Sequence, residues 1–159
     1  ETKAHLFVNN DTLSKVSGKV VWKLMKNDGT KLQSGEEDLT IEPLSVASIE
    51  EIDFNKTDVR NNYLWFAFEV EGKIVSSGTI IFTKPKHFNF VDPKLSVSAK
   101  GDVITVKANA YAKYVEISNE SGNLILSDNY FDMNKGEVKV KVLEGDTNGL
   151  IVRSVYDIK

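Results

Sequence analysis

The chain has 159 residues, 41% hydrophobic and 27% charged, and its 23 acidic and 20 basic side chains leave a formal net charge of −3. This is the composition of a soluble globular protein, and it excludes collagenous and disordered classes. The charges are dispersed, so no basic stripe exists to condense on phosphates and no nucleic-acid partner is expected. No apolar run approaches the ~18 residues of a spanning helix, so no membrane partner is expected either.

The first residues, ETKAHLFVNN, lack the charged and apolar regions of a signal peptide and read as a strand entered from an upstream segment. In GKVVWKLMK, Val20, Trp22 and Leu24 share one face, and Lys19, Val21, Lys23 and Met25 take the other, the alternation of a half-buried strand with Trp22 in the core. Asp28-Gly29 then predicts a tight hairpin into TKLQSGE. The stretch IEPLSVASIEEIDFNKTDVR is ambiguous because ASIEEIDF has a partly helical texture; it is read as strand, loop, strand. NYLWFAFEV sets Leu64, Phe66, Phe68 and Val70 against Tyr63, Trp65, Ala67 and Glu69, and EGK at 71–73 returns the chain into IVSSGTIIF.

After Phe82 the texture changes, for TKPKHFNFVDPK holds two of the three prolines, Pro85 and Pro93. Proline removes a ladder donor, so the stretch reads as a connector, with units at 1–86 and 87–159. His87, Phe88, Phe90 and Val91 are expected to be covered, because apolar linker residues seldom stay wet. Alternation then restarts: Leu95, Val97 and Ala99 share one inner face, and Ile104, Val106 and Ala108 the next. KYVEIS, LILSD, EVKVKVL and GLIVRSVYD supply further strands, with turns at Glu120–Asn123 and Asp146–Gly149. Many short strands without an amphipathic helix predict an all-β fold, two tandem immunoglobulin-like β-sandwiches. Units of this size bury only about 60–65% of their unfolded surface, so contacts with neighbouring modules are expected to support them.

No reacting centre is legible. His5 and His87 fall in different predicted units and assemble no metal site, and no cysteine exists to form a disulfide or ligate a metal, which also leaves the redox compartment unread. Hydrolase, P-loop and dinucleotide motifs are lacking. Glu36-Glu37 and Glu50-Glu51 are sequence neighbours, which in a strand point to opposite faces and cannot converge on one bond. In DMNKGE the glycine arrives one position too early for a calcium loop, and EGDTNG fails likewise. Three N-x-S/T triplets, at Asn10, Asn55 and Asn119, carry no weight without a secretory context. Catalytic residues, metal ligands and cofactors are therefore expected to be none, and no compartment is assigned. Tyr63 and Trp65 share one face of their strand; that face reads first as core or interface, and the alternative reading is half of an aromatic strip on which a sugar ring would stack.

Several segments in order carry a resemblance: YAKYVEIS, LSDNYFDMNKGE and LIVRSVYDIK, the connector KPKHFNFVDPKLSV, and upstream VNNDTLSKVSGKVVWKLMKNDGTKLQSGE. Together they resemble the C-terminal immunoglobulin-like modules of family 2 glycoside hydrolases of the β-mannosidase type. The resemblance implies a parent enzyme that releases terminal β-linked mannose, with both catalytic glutamates in a preceding (β/α)₈ barrel. Such a barrel needs ~200 residues and eight βα units, which this all-β chain does not hold, so no catalytic residue carries over.

The expected function is therefore a non-catalytic structural or interaction portion of a β-mannosidase-like hydrolase, partnered by the barrel and other domains of its parent chain. Two alternatives stand beside it: a carbohydrate-binding module for mannose-containing glycans, and a surface adhesin of tandem immunoglobulin-like repeats. In the hydrolase modules that the chain resembles, SDNYFD would be a structural corner, with Tyr130 and Phe131 plugging the sandwich end and Asp128, Asn129 and Asp132 satisfying backbone donors.

Overall fold

The computed structural model describes residues 2–158, which form antiparallel strands and two short 3₁₀ turns with no α-helix among them. Two compact units result. The first takes the chain up to Lys26 and Thr30–Phe88, and the second takes Asn27–Gly29 and the residues from Asn89 onward.

In the first unit the strands are β1 (Lys3–Ala4), β2 (Phe7–Asn10), β3 (Val16–Lys26), β4 (Lys31–Ile41), β5 (Ser45–Ser48), β6 (Ile52–Asp53), β7 (Asn62–Val70) and β8 (Lys73–Ile81). They form a four-stranded sheet in the order β4-β3-β7-β8 and two small ribbons, β1-β6 and β2-β5. The ambiguous 41–60 stretch is strand, loop, strand, as β5 and β6 show. Both hairpins fall where the turn residues put them. Lys26 N donates to Thr30 O at 2.8 Å around Gly29, and Glu71 and Gly72 both adopt left-handed φ, at 52° and 78°, between β7 and β8.

Register explains the core. Val20 lies opposite Phe68 and Leu24 opposite Leu64, and all four are buried with Ala4, Leu6, Ile41, Ile49 and Phe54. Trp22, expected in the core, is half-buried: its indole lies across Gly35 of β4, where an added Cβ would collide with the ring. Phe66 covers Gly78 of β8 in the same way. An aromatic over a strand glycine fills the space the missing side chain leaves. Phe54 joins this aromatic layer, edge-on to Trp22 at 5.3 Å and 5.8 Å from Phe82.

The connector contains a 3₁₀ turn, Pro85–His87, with proline in its first turn, where no donor is lost. Its apolar residues divide: Phe88 is buried and Phe90 stacks with Tyr111 at 6.2 Å, whereas His87 and Val91 are exposed rather than covered.

The second unit comprises β9 (Ser96–Lys100), β10 (Val103–Ala108), β11 (Ala112–Ser118), β12 (Ile125–Leu126), β13 (Phe131–Met133), β14 (Gly136–Glu144) and β15 (Ile151–Arg153), followed by a 3₁₀ turn, Val155–Asp157. One sheet runs β12-β14-β10-β9 and the other β13-β11-β15. Between them lie Ile104, Val106, Ala108, Ala112, Val115, Ile117, Met133 and Val140, an aliphatic core. Ile104, Val106 and Ala108 are buried as alternation predicts, and Leu95 and Val97 pack against the same core; Ala99, placed on their face by alternation, is exposed at the strand's end.

Candidate functional site

The candidate residues named from sequence do not converge. His5 and His87 are exposed, and no group of three metal-ligating side chains exists among the described residues. Glu36, Glu37, Glu50 and Glu51 are exposed as well. A shallow groove of about 450 Å³ runs over Gly18 beside Lys19, Asp38, Glu69 and Glu71, with Lys19 engaged by Glu36 at 3.4 Å.

Tyr63 and Trp65 share one face of β7, opposite Met25 and Lys23 of β3. Tyr63 is fully buried, whereas Trp65 keeps part of its surface, with the Lys23 ammonium 5.2 Å from its ring centroid. That separation is the geometry of a cation–π contact.

The richest polar arrangement lies in the second unit, where SDNYFD meets β11. The ladder between β11 and β13 pairs Ala112 with Met133 and Val115 with Phe131, so β11 carries an extra residue there, a bulge. Tyr114 occupies it with φ 53°. A bulge leaves a backbone donor without its ladder partner, and Asp132 supplies one: Oδ1 accepts from Tyr114 N at 2.9 Å, and Oδ2 accepts from Lys113 Nζ at 3.1 Å. Lys113 follows the inward parity of Val115 and Ile117, and the ion pair is largely buried, with side chains 10% and 14% exposed. Asn129 replaces a missing strand farther along, accepting from Ile117 N at 2.9 Å and donating to Ile117 O at 3.0 Å.

The corner reading therefore holds for Asn129 and Asp132. It fails for Tyr130, which is 64% exposed rather than plugging the sandwich, while Phe131 packs partly against the core. Asp128 is exposed as well. The reason is backbone: Tyr130 sits at φ 60°, which turns its side chain away from the face that Phe131 takes.

Tyr130 reaches Glu116 instead. Glu116 faces Arg153 across the β11-β15 ladder and accepts from its Nε at 3.0 Å. The Arg153 hydrogen bond, and then that of the Tyr130 hydroxyl, hold the Glu116 carboxyl below its ordinary value of 4.5. The same contact holds the Tyr130 phenol above its ordinary value of 10.0, because ionisation would place two anions together. Sequence reasoning missed Lys113, Tyr114, Glu116 and Arg153. The available signal was a lysine at inward parity in KYVEIS, which calls for a buried partner.

Fold and site together define a class: two immunoglobulin-like sandwiches whose polar side chains complete backbone ladders. Comparison with protein families gives the particular one. Residues 2–87 match the Mannosidase Ig/CBM-like domain, and residues 90–158 match an Ig-fold domain of mannosidases. The chain belongs to this family of mannosidase immunoglobulin-like domains.

Among solved structures, the β-D-mannosidase of Dictyoglomus thermophilum is 17% identical, with a TM-score of 0.79 over 96% of this chain and 20% of that one. The exo-chitosanase of Amycolatopsis orientalis is 16% identical, with a TM-score of 0.66 over 94% of this chain and 25% of that one. At such identity the likeness shows the fold. The chain spans about a fifth to a quarter of the length of these proteins. Comparison with curated proteins finds no match.

Proposed function

We propose that this chain is a non-catalytic pair of C-terminal modules, 1–86 and 87–159, of a glycoside hydrolase of the β-mannosidase type. In this reading it packs against the catalytic barrel and other domains of its parent chain and supports their shape, and the parent hydrolyses terminal β-mannosides. The observation that carries the reading is the pair of mannosidase domain matches, at 2–87 and 90–158, which account for nearly every described residue with immunoglobulin-like modules. The neighbouring carboxylates add support, since Glu36 and Glu37 lie on consecutive, opposite-facing positions of β4.

The test is an assay of the 159-residue chain on chromogenic β-mannoside and β-glucosaminide. No turnover is expected, and turnover abolished by replacing one carboxylate would overturn the proposal. The coding sequence upstream should specify a (β/α)₈ barrel; further immunoglobulin-like repeats on both sides would favour the adhesin instead.

A second reading, contact with mannose-containing glycans at Tyr63 and Trp65, is favoured by one observation, the surface that Trp65 retains beside Lys23. Trp65 would supply the stacking face in that case, with Tyr63 buried beside it.

A further inference from the structure

We infer that Asn148 is a site of spontaneous deamidation, and that its isoaspartyl product unties the two turns at that end of the second unit. The inference stands on the second unit alone and does not depend on the family reading above.

Asn148-Gly149 is the one Asn-Gly pair in the chain. Asn10, Asn27, Asn62 and Asn119 are buried, and every asparagine other than Asn148 precedes a residue whose side chain shields the next amide nitrogen. Asn148 and Gly149 are both exposed, in the turn between β14 and β15. Gly149 holds φ 62°, and a Cβ added there would lie 2.8 Å from Glu120 Cβ, so the turn requires glycine. The residue that lets the chain turn thus also leaves its amide nitrogen free to reach Asn148 Cγ.

Hydrogen bonding favours that attack. Gly149 N donates to no acceptor among the described residues, so no bond must break before it reacts. Loss of its proton places charge on the Asn148 carbonyl oxygen, and that oxygen already accepts from Glu120 N at 3.1 Å. A donor aimed at a developing anion lowers the barrier to forming it. The Asp146 and Glu120 carboxylates oppose such an anion, but Asp146 is engaged by Asn148 N at 3.0 Å and by Ser121 Oγ at 3.1 Å. The Asn148 side chain is lightly held. Asn148 N, and then Ser121, lead the bonds that keep the Asp146 carboxyl below its ordinary value of 3.8, and the Asn148 side chain contributes the least of them.

The step balances without a redox partner. Gly149 N passes its proton to solvent and bonds to Asn148 Cγ, closing a succinimide ring; the Cγ–Nδ2 bond breaks, and the nitrogen takes a proton back from solvent and leaves as ammonia. Water then opens the ring at either carbonyl, giving aspartate, or isoaspartate whose backbone runs through its own Cβ. The extra backbone atom displaces the carbonyl that Glu120 N holds. Buried Asn119 ties the same two turns, donating to Asp146 O at 2.9 Å and accepting from Gly122 N at 2.8 Å, so the disturbance reaches that side chain next.

The test incubates the full chain in mildly alkaline buffer beside the synthetic peptide EGDTNGLIV, residues 144–152. Peptide mapping by mass spectrometry should find deamidation at Asn148 before any other asparagine, within about tenfold of the free peptide's rate, a barrier difference of about 1.4 kcal/mol or less. Enzymatic carboxyl methylation should detect isoaspartate, and the aged chain should melt below the fresh one. Asn148→Gln should abolish both the modification and the loss, because glutamine must close a larger ring while the backbone bonds of the turn remain. Asn148→Asp adds the charge without the extra backbone atom and should melt above the isoaspartyl chain. The proposal is overturned by slower deamidation at Asn148 than that, by earlier deamidation elsewhere, or by an isoaspartyl chain that melts no lower than the fresh chain or Asn148→Asp.

Discussion

The two units solve one packing problem with different materials. In the first, the layer facing the four-stranded sheet is broken into two short ribbons, and aromatic rings supplement an aliphatic core, with Phe54 and Phe68 inside it and Phe66, Phe82 and the indole of Trp22 packed against it. In the second, a three-stranded sheet faces the four-stranded one and the core is aliphatic, while Asn129 and Asp132 bond backbone groups of β11, Asp132 being paired in turn with Lys113. Large rings bury more area per residue and bridge gaps between short strands. Polar side chains act where a strand begins late or bulges. The lesson is that side-chain volume substitutes for missing strands in one unit, and side-chain hydrogen bonding does so in the other.

This contrast can be broken first at Asp132. Asp132→Ala leaves the Lys113 ammonium largely buried and the Tyr114 amide unpaired, and should cost the second unit about 3–5 kcal/mol in denaturant unfolding followed by amide hydrogen exchange. The double variant Lys113→Met, Asp132→Leu should recover much of that loss; equal loss in both would show that the charge itself is not at issue.

The corresponding blow to the first unit is Leu64→Ala, expected to cost about 2–4 kcal/mol. Tryptophan fluorescence reads it selectively, since both tryptophans, Trp22 and Trp65, lie in that unit. Gly35→Ala sharpens the aromatic side of the comparison. Its Cβ meets the Trp22 ring, so a loss of about 1–3 kcal/mol is expected. Pairing it with Trp22→Leu should relieve most of the clash, and an unrelieved double variant would place the strain in the backbone.

A smaller effect appears with pH. Glu116 has its carboxyl held below 4.5 in the folded state, so its contribution is present above the unfolded value and is lost as pH falls through the folded one. Stability of the second unit should therefore decline on acidification below about pH 4.5, and Glu116→Gln should flatten that part of the profile. The smallest effect is expected on titrating tryptophan fluorescence with mannobiose: a saturable change lost in Trp65→Ala would support glycan contact on that face, and no change would remove it.

Much of this architecture was legible in the chain. Asp28-Gly29 and Glu71-Gly72 announced their hairpins because left-handed turns admit few residue types. Val20, Leu24, Leu64 and Phe68 declared one core through period-two alternation. The polar edge of β11 was not legible, because a bulge shifts alternation by one residue and nothing local marks where it falls. Lys113 was the one trace, a charge at an inward position.

By itself the sequence determined the strand faces, the turns and the all-β class, since each depends on neighbours within a few residues. Tertiary structure alone decided that Tyr130 turns outward while Phe131 packs inward, that Trp22 lies over Gly35, and that Glu116 meets Arg153. Those outcomes depend on register between strands distant in the chain, where a slip of one residue exchanges every inside for an outside.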